Sequence, residues 1–129
     1  MKTCFLAVWA VAASLTAIAA PEHRMRAPDA KTLMLAALDA PDGRAHGVLS
    51  SEVADAIGRT FQATSPIYID VSTVKRYVQR GCARLNVRFW QEGVRLPSGD
   101  SGGTLPPRRQ TIEFGINYCR DGLPPRALS

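Results

Sequence analysis

Hydrophobic residues recur at helical spacing in two segments of the N-terminal half of the chain. The first helix is predicted from Asp29, a good N-terminal cap, to about Ala40. Its apolar positions form one face: Leu33, Met34, Ala37 and Leu38. The second helix is predicted to begin after Ser50 or Ser51 and to carry an apolar line at Val53, Ile57 and Phe61. Because each helix has a single apolar face, each is expected to pack that face against a sheet.

Strict alternation of apolar and polar residues predicts three strands downstream of the helices. The apolar residues of the first are Ile67, Ile69 and Val71, those of the second Leu85, Val87 and Phe89, and those of the third Ile112, Phe114, Ile116 and Tyr118. Each strand has one apolar and one polar face. The expected fold is therefore α+β, with two N-terminal helices packed on one face of a three-stranded antiparallel β-meander.

The two cysteines in this half of the chain suggest how the last two strands pair. If Cys82 faces Cys119 in an antiparallel pair, the apolar residues of the second strand fall opposite those of the third. In the same register Arg88 lies opposite Glu113, a favourable cross-strand pair of opposite charges. The hydrophobic pattern and the cysteine pairing thus predict the same register. Residues 97–104 are left as the hairpin tip.

The start of the chain has the pattern of a bacterial export signal. An apolar stretch follows Met1-Lys2-Thr3, and Ala17-Ile18-Ala19 matches the small-residue cleavage pattern. Residues 1–19 are therefore predicted to be a signal peptide, 20–28 a mobile leader and 29–129 a single domain. Cleavage removes Cys4 and leaves no membrane span, so Cys82 and Cys119 are expected to form a disulfide in the periplasm or outside the cell. Oligomeric state is left open.

Positive charge is concentrated in the second half of the chain, which has 129 residues and a formal net charge of +5. The candidate partner-binding residues there are Arg76, Arg84, Arg88 and Trp90. Arginine beside an aromatic ring suits anionic ligands, so an envelope protein, lipid A or single-stranded nucleic acid are all possible partners. A solvated sheet face without a ligand is the alternative interpretation.

The sequence contains no complete catalytic, metal or cofactor motif. Gly99-Asp100-Ser101-Gly102-Gly103 resembles the segment around the nucleophilic serine of chymotrypsin-like proteases, a family that also needs a histidine base and a carboxylate. His23 falls in the predicted leader and His46 in a predicted loop, so a flexible turn is the preferred interpretation. A non-enzymatic interaction module without cofactor or metal is expected. A small secreted enzyme using this segment, or an enzyme inhibitor, is the alternative.

Two further segments suggest a family. Gly81-Cys82-Ala83-Arg84-Leu85 and the stretch from Gly115 to Gly122 resemble small exported proteins encoded in proteobacterial conjugative elements. This resemblance implies an accessory role in envelope or conjugative transfer machinery. The sequence Leu-Pro-Pro-Arg also occurs twice, at residues 105–108 and 123–126. The prolines are expected to stiffen the hairpin entry and to end the third strand, and docking to a partner is the alternative.

Overall fold

The computed structural model describes residues 23–99 and 102–129, which form two helices and one five-stranded sheet. The elements in chain order are β1 (Met25–Ala27), α1 (Ala30–Asp39), β2 (Arg44–Leu49), α2 (Glu52–Thr60), β3 (Tyr68–Arg76), β4 (Cys82–Val94) and β5 (Arg108–Cys119). The strands lie side by side in chain order. Neither helix in this part of the chain is long and apolar enough to cross a membrane.

The α+β class is confirmed, but the predicted arrangement of two N-terminal helices on a three-stranded antiparallel meander is wrong. One strand precedes α1, and β2 lies between the two helices. The sheet has five strands and is mixed, because β1 pairs with β2 in parallel while the other neighbours are antiparallel. Residues Met25–Ala27, expected in a mobile leader, form β1. Both additional strands lack a strong local signal: β1 has three residues, and the buried positions of β2 are the small residues Ala45 and Gly47.

Both helices begin where a capping side chain is available. Asp29 accepts a hydrogen bond from the backbone amide of Thr32 at 2.9 Å, and Ser51 accepts one from the amide of Ala54 at 3.1 Å. The backbone amide of Thr32, together with its hydroxyl, lowers the pKa of the Asp29 carboxyl. The structure thus confirms Asp29 as a cap and selects Ser51 from the two predicted serines.

The hydrophobic core lies between α1 and the sheet. Leu33 and Ala37 of α1 pack with the fully buried residues of β3 and β4, among them Ile69, Leu85 and Val87. A β-carbon on Gly47 would lie 2.8 Å from Leu33 Cδ1 and 2.9 Å from the carbonyl oxygen of Met25. Glycine at this position therefore lets α1 and β1 approach β2 closely.

The predicted pairing of β4 with β5 is confirmed. Cys82 and Cys119 form a disulfide across the two strands, and Leu85, Val87 and Phe89 lie opposite Ile116, Phe114 and Ile112. The register holds from the disulfide to Gln91 and shifts at an irregularity between Gln91 and Val94. At the β3–β4 turn, Gly81 has a φ of +77°, a left-handed conformation that glycine adopts without strain.

Removing the disulfide should destabilise the fold. The bridge links residues 37 positions apart, and the loop-closure entropy of such a loop corresponds to about 3–4 kcal/mol. We expect Cys82→Ala/Cys119→Ala to lower the free energy of unfolding by about this amount in urea denaturation. Reductant should destabilise the wild type similarly and leave the double variant unchanged. An unchanged unfolding midpoint in the double variant would contradict the prediction.

Candidate functional site

The sheet face opposite α1 carries polar and aromatic side chains, and we call it the polar face. The alternation of each strand puts on this face Arg44 and His46 from β2, Tyr68, Asp70 and Ser72 from β3, Arg84, Asn86, Arg88 and Trp90 from β4, and Arg109, Glu113 and Asn117 from β5. Arg24, immediately before β1, joins this face through its contacts with Asp70 and Tyr68. The site therefore contains residues of β2, β3, β4 and β5 and one residue immediately before β1.

Asp70 is the centre of a hydrogen-bond cluster on the polar face. Its Oδ1 accepts hydrogen bonds from Arg24 Nη1 and His46 Nδ1, both at 2.8 Å, and its Oδ2 accepts one from Trp90 Nε1 at 2.7 Å. Because an ionised carboxylate only accepts, the proton in the His46 bond lies on Nδ1. Both oxygens of Asp70 are therefore engaged within the protein.

The surroundings of Asp70 favour its charged form. Burial alone would raise the pKa of this carboxyl, but the hydrogen bonds from His46, Trp90 and Arg24, with the charge of Arg24, outweigh burial and lower the pKa below its usual value. The side chain of Asp70 is 21% exposed and that of Arg24 17%. The pair is therefore largely shielded from solvent, and Arg24 compensates the charge of Asp70.

Aromatic and guanidinium groups stack beside this cluster. The ring centroids of Tyr68 and Trp90 are 4.3 Å apart, and the guanidinium of Arg24 lies 4.8 Å from the first and 5.3 Å from the second. Arg109 approaches the Trp90 ring to 4.5 Å and forms an ion pair with Glu92. Such cation–π contacts hold both arginine side chains against the aromatic rings.

A cavity of about 270 Å³ opens on the polar face next to Asp70. Asp70 and Ser72 of β3 lie between the neighbouring strands that carry the other polar lining residues: Arg44 and His46 on β2, and Asn86 and Arg88 on β4. The side chain of Arg44 makes no hydrogen bond or ion pair with the residues that the structure describes. The cavity thus brings together an unpaired cation, a hydroxyl and an amide.

Three of the four predicted partner-binding residues share the polar face. Arg88 lines the cavity and forms the predicted ion pair with Glu113, with 3.5 Å between Nε and Oε2. Trp90 is half-buried rather than fully exposed, because Tyr68 and two arginines cover it. Arg84 donates to Asn117 Oδ1 at 3.2 Å. Its guanidinium occupies space that Gly115 leaves open, since a β-carbon there would lie 2.6 Å from Arg84 Nη2.

Arg76 is separated from the other three. Its guanidinium donates to the carbonyl oxygens of Leu38 at 3.3 Å and Ala40 at 3.1 Å, at the C-terminal end of α1. The register between β3 and β4 shifts between Thr73 and Lys75, so residues after the shift exchange faces. Uninterrupted alternation would have put Arg76 on the polar face. The bulge instead turns it to the side of α1, where it caps the helix.

Arg24 and His46 were not predicted as site residues, and Asp70 had no predicted role. Arg24 belongs to a segment expected as a leader, and its contact with Asp70 joins residues 46 positions apart. His46 was expected in a loop but belongs to β2. The alternation of Tyr68, Asp70 and Ser72 on one face was a usable signal, because it put a carboxylate beside the predicted aromatic residues.

A nucleophilic serine and a metal site are the other candidate chemistries of this chain. Asp100 and Ser101 of the protease-like segment lie outside the described residues, so the suggestion of a nucleophile there stays a prediction. In the ranges 23–99 and 102–129, no three His, Cys, Asp or Glu side chains are grouped to hold a metal ion.

Loss of the Asp70 charge should destabilise the protein near neutral pH. Asp70→Asn keeps the size but removes the charge and puts an amide donor where one oxygen accepted, so we expect a loss of about 1–3 kcal/mol. Because the folded-state pKa is lowered, this stabilisation is present above the unfolded pKa of about 3.9 and lost as pH falls through the folded value. The wild type should therefore lose more stability than the variant on acidification.

Urea denaturation of both proteins between pH 2.5 and 7 measures this difference. Asp55→Asn is the control, because Asp55 is exposed on α2. We expect it to change stability less than Asp70→Asn. Equal effects of the two substitutions at pH 7 would contradict a central role for Asp70.

Comparison with known proteins does not assign a family to this fold and site. No family model matches the chain, and no curated protein or solved structure is significantly similar to it. The resemblance to exported proteins of conjugative elements therefore stays a prediction.

Proposed function

We propose that this chain is a small exported interaction module that binds an anionic group of a partner through its polar face. The cavity next to Asp70 is the proposed contact point, with Arg44 and Arg88 as its cationic residues. The proposal includes no catalytic step. An accessory role in envelope or conjugative transfer machinery is part of it and rests on the sequence resemblance alone.

The distribution of charge around the cavity carries this proposal. Asp70 would repel an anion, but Arg24 compensates its charge and both of its oxygens already accept hydrogen bonds. Arg44 has no ion-pair partner among residues 23–99 and 102–129. Arg88 shares its charge with Glu113 in a half-exposed pair that contributes little stability and that a ligand can replace. The cavity therefore presents a positive surface to its contents.

The chemistry of the lining favours a carboxylate or phosphate group. A guanidinium donates two parallel hydrogen bonds to either group, and the Ser72 hydroxyl can add a further donor. The Asn86 amide donates one hydrogen bond to Glu113 Oε1 at 2.7 Å and has a second N–H for a ligand. Trp90 and Tyr68 flank the cluster and can contact an apolar or aromatic part of the same ligand. Phosphate-bearing nucleic acid, lipid A and an acidic protein segment all present such groups.

Trp90 allows binding to be measured directly. The chain has two tryptophans, Trp9 and Trp90, so the full chain with Trp9→Phe reports on Trp90 alone. We would titrate this protein with a single-stranded oligonucleotide, lipid A and polyglutamate, and follow tryptophan fluorescence. We expect at least one to bind, with affinity falling as salt increases. No binding by any of the three at low salt would contradict the proposal.

Arg44→Glu should weaken this binding roughly 10- to 100-fold, because it replaces one or two charge-assisted hydrogen bonds by repulsion. Arg80→Glu is the matched control: it makes the same change in net charge at an exposed position of the β3–β4 turn. We expect Arg80→Glu to have a much smaller effect. Equal losses in the two variants would indicate nonspecific attraction to the basic protein and would contradict a site in the cavity.

The alternative enzymatic function can be tested at Ser101. A fluorophosphonate probe labels a serine only when a neighbouring base activates it. We expect no labelling of the purified protein, because the proposed function needs no nucleophile. Labelling that disappears in Ser101→Ala would contradict the proposal and favour the hydrolase.

A further inference from the structure

We infer that two copies of this chain associate through the outer edge of β5, forming a continuous ten-stranded sheet. The two edges of the five-stranded sheet differ in length: β1 has three residues, whereas β5 has 12. Natural proteins usually keep an exposed edge strand short, or interrupt it with proline or a bulge. The segment from Gln110 to Cys119 has no proline, and its register with β4 is uninterrupted.

Apolar side chains are exposed along this edge. Ile112 is 68% exposed and Phe114 43%, because α1 packs mainly on β2 and β3 and less on β4. Ile116 is half-buried on the same face. The segment after β5 returns to the β3–β4 turn, where Ser129 accepts a hydrogen bond from Val78 and Arg126 donates one to Gln79. In the described part of the chain, no segment pairs with the outer edge of β5.

The backbone hydrogen bonds of β5 identify the groups at that edge. The amide of Arg120 donates to the carbonyl oxygen of Gly81, one position beyond the Cys82–Cys119 pair. Because hydrogen-bonded and non-hydrogen-bonded pairs alternate, Cys82 and Cys119 form a non-hydrogen-bonded pair. The alternation continues along β5 towards its N-terminus. The residues whose amides and carbonyls point away from β4, at the outer edge of the sheet, are therefore Asn117, Gly115, Glu113 and Thr111.

These outward groups restrict how a second copy can pair. In an antiparallel pair of β5 strands, the residues whose amides and carbonyls point away from β4 must lie opposite one another to form hydrogen bonds. The exposed apolar residues between them then also lie opposite one another. Centring the twofold axis on Phe114 places Phe114 opposite its own copy and Ile112 opposite Ile116. Between Thr111 and Asn117 no like charges meet, because Glu113 then faces Gly115; Arg108 and Arg120 fall opposite each other only at the ends of the pair. Centring it on Glu113 instead would put two carboxylates directly opposite, which is unfavourable.

The register centred on Phe114 adds an apolar stripe to the existing core. Phe114 and Ile112 already lie opposite Val87 and Phe89 of their own chain. The second copy would extend this row across the interface and satisfy the outward amides and carbonyls from Thr111 to Asn117. A twofold axis perpendicular to the sheet also leaves the two polar faces on the same side. The dimer would therefore present two copies of the polar face in one direction.

Cysteine cross-linking tests this register. In the full chain with Cys4→Ser, Phe114→Cys puts two thiols at a non-hydrogen-bonded pair, with Cα atoms about 4.5 Å apart, within disulfide range. We expect mild oxidation to yield a covalent dimer. Ile112→Cys is the matched control, because the Ile112 side chain is more exposed than that of Phe114. In this register Ile112 lies opposite Ile116, so the two introduced cysteines are four positions, about 13 Å, apart along the strands. Cross-linking of Ile112→Cys in preference to Phe114→Cys would overturn the register.

Sedimentation equilibrium of the uncross-linked full chain tests the association itself. We expect a concentration-dependent species of twice the 14.0 kDa chain mass. Ile112→Arg should weaken dimer formation at least roughly tenfold, because the contact between Ile112 and Ile116 occurs twice across the twofold axis and both copies are lost. Val78→Arg should not, since Val78 is 88% exposed but lies in the β3–β4 turn and not on the outer edge of β5 from Thr111 to Asn117. A monomer up to about 1 mM, or a dimer that Ile112→Arg leaves unchanged, would overturn the proposal.

Discussion

The pairing of Cys82 with Cys119 sets the register on which both faces of the sheet depend. Side chains alternate with a period of two, so a slip of β5 by one residue against β4 would turn Ile112, Phe114 and Ile116 from the core side of the sheet to the polar face. The same slip would remove Glu113 from its position opposite Arg88. The disulfide connects the strands at the end that carries the β3–β4 turn, and the register follows from there to Gln91. The core and the candidate site therefore share one geometric constraint.

Asp70 connects the polar face to the stability of the fold. Its carboxylate accepts hydrogen bonds from Arg24 before β1, from His46 on β2 and from Trp90 on β4. One side chain therefore connects three segments of the sheet. A largely shielded carboxylate is tolerated only when such partners are present. Because Asp70 is fully engaged, the positive charge of Arg44 and Arg88 beside it dominates the cavity. Stability and the proposed ligand binding thus use different members of one polar cluster.

Small residues and a bulge determine which side chains reach the polar face. Gly115 leaves the space that the guanidinium of Arg84 occupies. The irregularity between Thr73 and Lys75 sends Arg76 to the end of α1, so this arginine stabilises the helix instead of contributing to the cavity. Charge in the sequence is therefore a poor guide to charge at the site. The strand geometry decides which arginines act together.

Local sequence pattern and one pair of cysteines were enough to predict much of this structure. Capping residues and apolar spacing predicted both helices, alternation predicted β3, β4 and β5, and Cys82 and Cys119 predicted the last register. Only the tertiary structure revealed the parallel pairing of β1 with β2 and the contact of Arg24 with Asp70. These features depend on contacts between residues distant in sequence, in a three-residue strand and a strand with small buried residues, where local periodicity carries little information.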